Sequence, residues 1–117
     1  MKNFKYAING IWYSVKTEKN MKIHLALVII VSAMGFYFNI SATEWMVQLL
    51  LFALVIGTEM INTAIERITD VQYQELNENA GVIKDVAAGA VLFVSVVALI
   101  IGFIIYLPLI LKIYTTV

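Results

Sequence analysis

Between residues 59 and 70 the sequence reads Glu59-Met60-Ile61-Asn62-Thr63-Ala64-Ile65-Glu66-Arg67-Ile68-Thr69-Asp70, directly after a long apolar run. On a helix, at about 100° per residue, Glu59, Asn62, Thr63, Glu66 and Asp70 fall near about 0°, 300°, 40°, 340° and 20°. Five polar groups therefore share one face roughly 100° wide, with Met60, Ile61, Ile65 and Ile68 opposite. A helix merely leaving an apolar medium for water would carry charge all round. A one-sided stripe with Ile and Met behind it points to a site, because a carboxylate at membrane depth is costly and usually functional. Three carboxylates on a stripe suit a divalent cation or a proton. Mg²⁺ in particular takes one or two carboxylates and fills its shell with phosphate oxygens and water.

Further groups could join this stripe. Glu18 and Lys22 form an i, i+4 pair, and Lys84 is followed by Asp85. Together the set offers carboxylates for a metal, a lysine for a phosphate and a carboxylate able to take a proton, which are the parts phosphoryl transfer needs. Each pair also has a plainer reading. Glu18–Lys22 is then a surface pair worth under about 0.5 kcal/mol, and Lys84–Asp85 marks a helix boundary at a membrane surface. None of the six glycines builds GxxxxGK or GxGxxG, so no soluble nucleotide-binding signature is present.

The elements that must carry these groups follow from composition. The chain has 117 residues, 62% hydrophobic and 14% charged, with eight basic residues balancing eight acidic ones. Soluble domains average about 45–50% apolar and about 25% charged residues. The imbalance argues against a disordered chain, a basic nucleic-acid binder and an ordinary water-soluble enzyme. With no cysteine and one histidine, disulfides, thiol chemistry and multi-histidine metal sites within the chain are excluded. The composition is that of a small integral membrane protein of all-α class.

Three apolar segments, 23–40, 45–70 and 86–111, can each supply the ~20 residues that cross ~30 Å of hydrocarbon. Without dyad alternation they read as helices, not barrel strands. Pro108 falls late in the third, where a kink or frayed end is tolerable. Ahead of them, in 1–20, Phe4, Ala7, Ile8, Ile11, Trp12 and Val15 repeat at helical spacing with Lys2, Lys5, Asn9 and Lys16 largely off that face. This predicts an amphipathic helix in the membrane interface, and not a signal peptide. Five of the eight basic residues precede the first span, and Arg67 and Lys84 flank the second connection. The positive-inside rule then sets the N-terminus and that connection in the cytoplasm. Glu59 lies about 21 Å along the helix from Trp45, inside the cytoplasmic half of the bilayer.

The runs Glu59-x-x-Asn62-Thr63-Ala64-Ile65-Glu66-x-x-x-Asp70 and Lys84-Asp85-x-Ala87-Ala88-Gly89-Ala90-Val91 resemble the signature of the prokaryotic diacylglycerol kinase family, which includes the undecaprenol kinases. Gly10, Glu18, Asn20, Lys22, Ile23 and His24 fit its N-terminal pattern. The resemblance spans nearly the whole chain. It implies a single domain over 1–117 in the bacterial inner membrane, a homotrimer with active sites at the cytoplasmic interface, Mg-ATP as donor and a membrane lipid hydroxyl as acceptor. It implies no nucleic-acid partner. By motif position Glu59 is the general base and Asn62 helps hold the acceptor, with Asp70 in the same motif. Glu18 and Glu66 hold Mg²⁺, Lys84 meets the ATP phosphates with Asp85 beside it, and Tyr6 meets the nucleotide base. Many relatives carry Arg where Lys19 and Lys22 stand, a small residue at Ile83 and a His at Gln74. The short N-terminus and Ile23-His24 resemble the undecaprenol branch. Two rival expectations remain from other classes: a small cation or proton transporter subunit using the same carboxylates, and a non-catalytic structural membrane protein. The outer halves of the first and third spans carry no ionisable relay, which counts against the transporter.

Overall fold

The computed structural model describes residues 2–75 and 77–116. Residues 1, 76 and 117, which the expected 1–117 domain includes, lie outside the described residues. The chain folds into α-helices α1 (Lys2–Thr17), α2 (Lys19–Phe38), α3 (Ala42–Gln72) and α4 (Glu78–Thr116). The last three are long and apolar enough to cross a membrane.

The ends of these helices have local chemical causes. Glu18 alone separates α1 from α2, in an extended conformation with φ −99° and ψ 120°. Its amide still donates to the Ser14 carbonyl at 3.0 Å, and Lys22 donates to the Glu18 carbonyl at 3.3 Å, so the elbow is tight. At the other end of α2, Asn39 takes the left-handed conformation (φ 52°). There Ile40 N donates to Gly35 O at 3.1 Å and Asn39 N to Phe36 O at 3.3 Å, the paired bonds of a Schellman ending. Asparagine tolerates that backbone better than other residues with a Cβ. Two residues later Ser41 caps α3. Its Oγ accepts from Glu44 N at 3.1 Å, while Ser41 N donates to Glu44 Oε1 at 2.9 Å, a reciprocal capping box. This turn explains two departures from the expected spans. The first stops before Asn39, and α3 starts at Ala42, ahead of the apolar run.

α3 continues to Gln72, where Tyr73 N closes on Thr69 O at 2.9 Å. α4 begins at Glu78, eight residues before the expected start at 86, because Asn77 caps it: its Oδ1 accepts from Asn79 N at 2.8 Å. The apolar run marks where a helix becomes hydrophobic, not where it begins. At its other end α4 runs through Pro108 to Thr116.

α2 and α4 both pack on α3, and α1 lies against α2 and α3. At the Asn39–Ser41 end the approach is close. A Cβ on Gly35 would sit 2.8 Å from the Trp45 ring, and that ring also meets Phe36 at a centroid distance of 4.8 Å. The interior is strongly polar: Ser14, Gln48, Glu59, Asn62, Thr63 and Thr69 are buried, beside a few apolar residues such as Met21 and Ala87. Outside stand Ile29, Phe36, Leu92 and Phe93, all more than 60% exposed. Apolar surface outside and polar groups inside is the arrangement that a hydrocarbon medium selects, since no water there can satisfy an outward polar group.

Candidate functional site

Glu59 is the centre of the polar interior. Its carboxylate is 2% exposed, and His24 Nε2 on α2 lies 3.5 Å from its Oε2. Glu18, from the α1–α2 elbow, and Glu66, two turns further along α3, lie close enough to act on its charge. Thr63 Oγ1 donates to the Glu59 carbonyl at 3.0 Å, keeping its own hydroxyl satisfied within the helix. Asn62 Nδ2 donates to Glu66 Oε1 at 3.1 Å. That leaves Asn62 Oδ1 buried and, among the described residues, without a partner. A buried unpaired carbonyl oxygen costs about 1–3 kcal/mol, so this atom is primed for a donor or a cation.

The donor set fits Mg²⁺ chemically: the Glu18 and Glu66 carboxylates and an orphaned amide oxygen are all hard oxygen ligands. The Glu18 side chain is not used to cap α2. Among the described residues no three ligating side chains converge, so a cation held here would take most of its shell from phosphate oxygens and water.

Asp70 and Lys84 form a second cluster, joined by a direct contact between the Lys84 ammonium and the Asp70 carboxylate. The side chains are 42% and 63% exposed, and such a bridge contributes less than about 1 kcal/mol. Asp85 and Tyr6 are exposed. The helical-wheel stripe is thus met at Glu59, Asn62 and Thr63, which are buried, with Glu66 half-buried. It fails at its C-terminal end, where Asp70 turns out and Thr69 turns in, bonded to the Ile65 carbonyl at 2.7 Å.

Two pairings between helices do not follow from the sequence. One is the His24–Glu59 pair. The lone histidine stood at the start of the first apolar span, but nothing along one helix says which residue of another it meets. The other is Arg67, which donates to the Tyr13 hydroxyl and lies 5.7 Å over its ring, tying α1 to α3 beside Glu66.

Residues 5–106 match the family model for prokaryotic diacylglycerol kinase. The chain is 39% identical over 107 residues to an undecaprenol kinase from Bacillus subtilis, covering 92% of this chain and 87% of that protein. It is 35% identical over 107 residues to a diacylglycerol kinase from Synechocystis sp., covering 91% of this chain and 61% of that one. The matched region takes in the whole of α3, the elbow at Glu18 and Lys84-Asp85 on α4, and so the chain belongs to the prokaryotic diacylglycerol kinase family of membrane lipid kinases.

Proposed function

We propose that the protein transfers the γ-phosphoryl group of ATP to the hydroxyl of a membrane lipid, undecaprenol or diacylglycerol, giving undecaprenyl phosphate or phosphatidic acid. Undecaprenol is favoured by the higher identity and fuller coverage of the relative that bears its name. The observation that carries the reading is Glu59, 2% exposed in the middle of an apolar helix and held against His24 at 3.5 Å.

In this reading Glu59 accepts the proton of the lipid hydroxyl as that oxygen bonds to phosphorus and the bond to ADP breaks. Asn62 orients the acceptor, with Asp70 bordering the site. Glu18 and Glu66 would hold Mg²⁺, which would supply neutralisation of phosphate charge. Lys84 leaves its exposed bridge to Asp70 at little cost and pairs with the ATP phosphates, beside Asp85. Tyr6, exposed on α1, stacks on the nucleotide base.

The same reading sets the chain in the bacterial inner membrane as one domain, with the site on the cytoplasmic side. α1 lies in the interface, its exposed Phe4, Ile8, Ile11 and Trp12 meeting lipid. Three copies associate through small-residue faces such as Ala53 with Gly57 and the patch Ala87 to Ala90, of which Ala53 and Ala88 to Ala90 are exposed, Gly57 is half-buried and Ala87 is buried within the chain. Purified protein in lipid, given Mg-ATP with a labelled γ-phosphate, is expected to label one or both lipids, and their comparison fixes the acceptor. A well-folded protein that labels neither overturns the kinase reading.

A further inference from the structure

Packed between α2, α3 and α4 is a cavity of about 370 Å³ whose lining includes His24, Val28, Gln48, Ser95, Ala98 and Tyr106. It is apolar along most of its length. At the far end Tyr106 Oη meets the Val31 carbonyl of α2 at 3.2 Å and the Gln48 side chain of α3. At the near end stands His24, the partner of Glu59. The cavity therefore begins beside the site already described and runs into the bundle.

Ser95 lies at that near end. Two contacts fix the antiparallel register of α3 and α4: Gln48 with Tyr106, and Asp70 with Lys84. Glu59 is eleven residues from each of the two α3 partners, and Ser95 is eleven from each of the two α4 partners. With the same rise per residue in both helices, Ser95 sits level with Glu59. Its Oγ is buried and, among the described residues, has no hydrogen-bond partner. A serine in a helix ordinarily satisfies its hydroxyl on the carbonyl one turn back, as Thr63 and Thr69 do here. Ser95 does not, and it faces the cavity.

We propose that Ser95 binds the alcohol head of the lipid acceptor, its hydroxyl donating to the acceptor oxygen while the first part of the acceptor's hydrocarbon chain lies in the cavity towards Gln48. This rests on the lipid-kinase reading and names a residue and a track for its acceptor. Glu59 takes the acceptor's proton from one side, and Ser95 fixes the oxygen from the other. A hydrogen bond here is worth about two- to tenfold in affinity.

The test is a comparison of Ser95→Ala and Ser95→Thr with the wild type, titrating undecaprenol in mixed micelles at saturating Mg-ATP and then the reverse. Ser95→Ala is expected to raise the half-saturating undecaprenol fraction about two- to tenfold with the half-saturating Mg-ATP unchanged, and Ser95→Thr to restore it. A small residue kept only for packing would be served equally well by Ala, so wild-type lipid saturation in Ser95→Ala overturns the proposal. A second readout needs no turnover. A long-chain primary alcohol carrying a mid-chain diazirine, photolysed without ATP, is expected to label the cavity side of α4 at Ala98, Leu99 and Gly102. Adducts confined to the outward Phe93, Ile100 and Ile104 overturn it. If the wild type phosphorylates no lipid the kinase reading falls, while the photolabelling still decides whether the cavity receives an alcohol.

Discussion

Replacing Glu59 with Gln keeps the shape of the side chain and removes its charge and basicity. The structure gives this change two separable consequences. For chemistry, a positioned general base contributes about 10²–10⁴-fold, or about 3–5 kcal/mol of barrier. For stability, the wild-type carboxylate is 2% exposed and lies 3.5 Å from one imidazole nitrogen. Were that imidazole protonated, the attraction would be about 5 kcal/mol at an effective dielectric of about 20. Against it stand the removal of both groups from water, several kcal/mol for each ion, and repulsion from Glu18 and Glu66. The amide avoids these costs and still hydrogen-bonds to His24, worth about 0.5–1.5 kcal/mol. Glu59→Gln is therefore expected to lose at least about a hundredfold in kcat and to unfold at the wild-type midpoint or above it. Initial rates with labelled ATP give the first quantity. Denaturation by SDS in mixed micelles, followed by far-UV circular dichroism, gives the second. Activity within tenfold of the wild type removes Glu59 from the base role. A marked fall in the unfolding midpoint shows instead that the carboxylate was holding the bundle together, and the argument from opposing charges fails.

Three other substitutions probe different parts of the molecule. Gly35→Val drives a side chain into the Trp45 ring, which a Cβ would already meet at 2.8 Å; the same denaturation assay is expected to show a loss of about 1–3 kcal/mol, with a wild-type midpoint counting against the close α2–α3 approach. Tyr106→Phe removes the hydroxyl that bridges Val31 and Gln48 and leaves a buried amide less well paired, for an expected loss of about 1–3 kcal/mol. Lys84→Gln breaks only an exposed bridge, so stability is expected to move by less than about 1 kcal/mol. The same variant raises half-saturating Mg-ATP about tenfold or more, because a hydrogen bond to a charged group is worth about 1.5–3 kcal/mol; unchanged nucleotide saturation removes Lys84 from the phosphate site.

The parts of this fold that one helix can specify alone are legible in the sequence. Periodicity along residues 59–66 put Glu59, Asn62 and Thr63 on a common face, and the three bury together. Capping chemistry was equally local. Ser41 with Glu44, and Asn77 ahead of Glu78, start their helices before the apolar runs at 45 and 86 begin. Thr69 and Asp70 show the limit of the wheel. Near the end of a helix a few tens of degrees decide which side chain turns in, and the pattern along the helix alone does not set that rotation. Contacts between helices are less accessible still. His24–Glu59, Arg67–Tyr13 and the level of Ser95 depend on how far each helix slides along its neighbour. That register is set by contacts between helices, such as Gln48 with Tyr106 and Asp70 with Lys84, not by the pattern within any span.

The self-satisfied turn at Asn39–Ser41 has a bearing on where in a bilayer the enzyme works best. Its Schellman bonds and capping box leave little for water or headgroups to complete, so this short corner can sit at the membrane boundary with nothing projecting beyond it. From Ala42 to Glu59 the rigid rise of α3 is about 26 Å, against a hydrocarbon thickness of about 30 Å. A helix hung from one boundary by so compact a corner acts as a ruler. In a thinner bilayer Glu59 moves out towards the headgroups, and in a thicker one it sinks beneath them, while a lipid's hydroxyl stays with the surface. With Glu59 as the proposed base, a hydrophobic mismatch of a few ångströms is expected to change its alignment with the acceptor, and membrane thickness to change the rate.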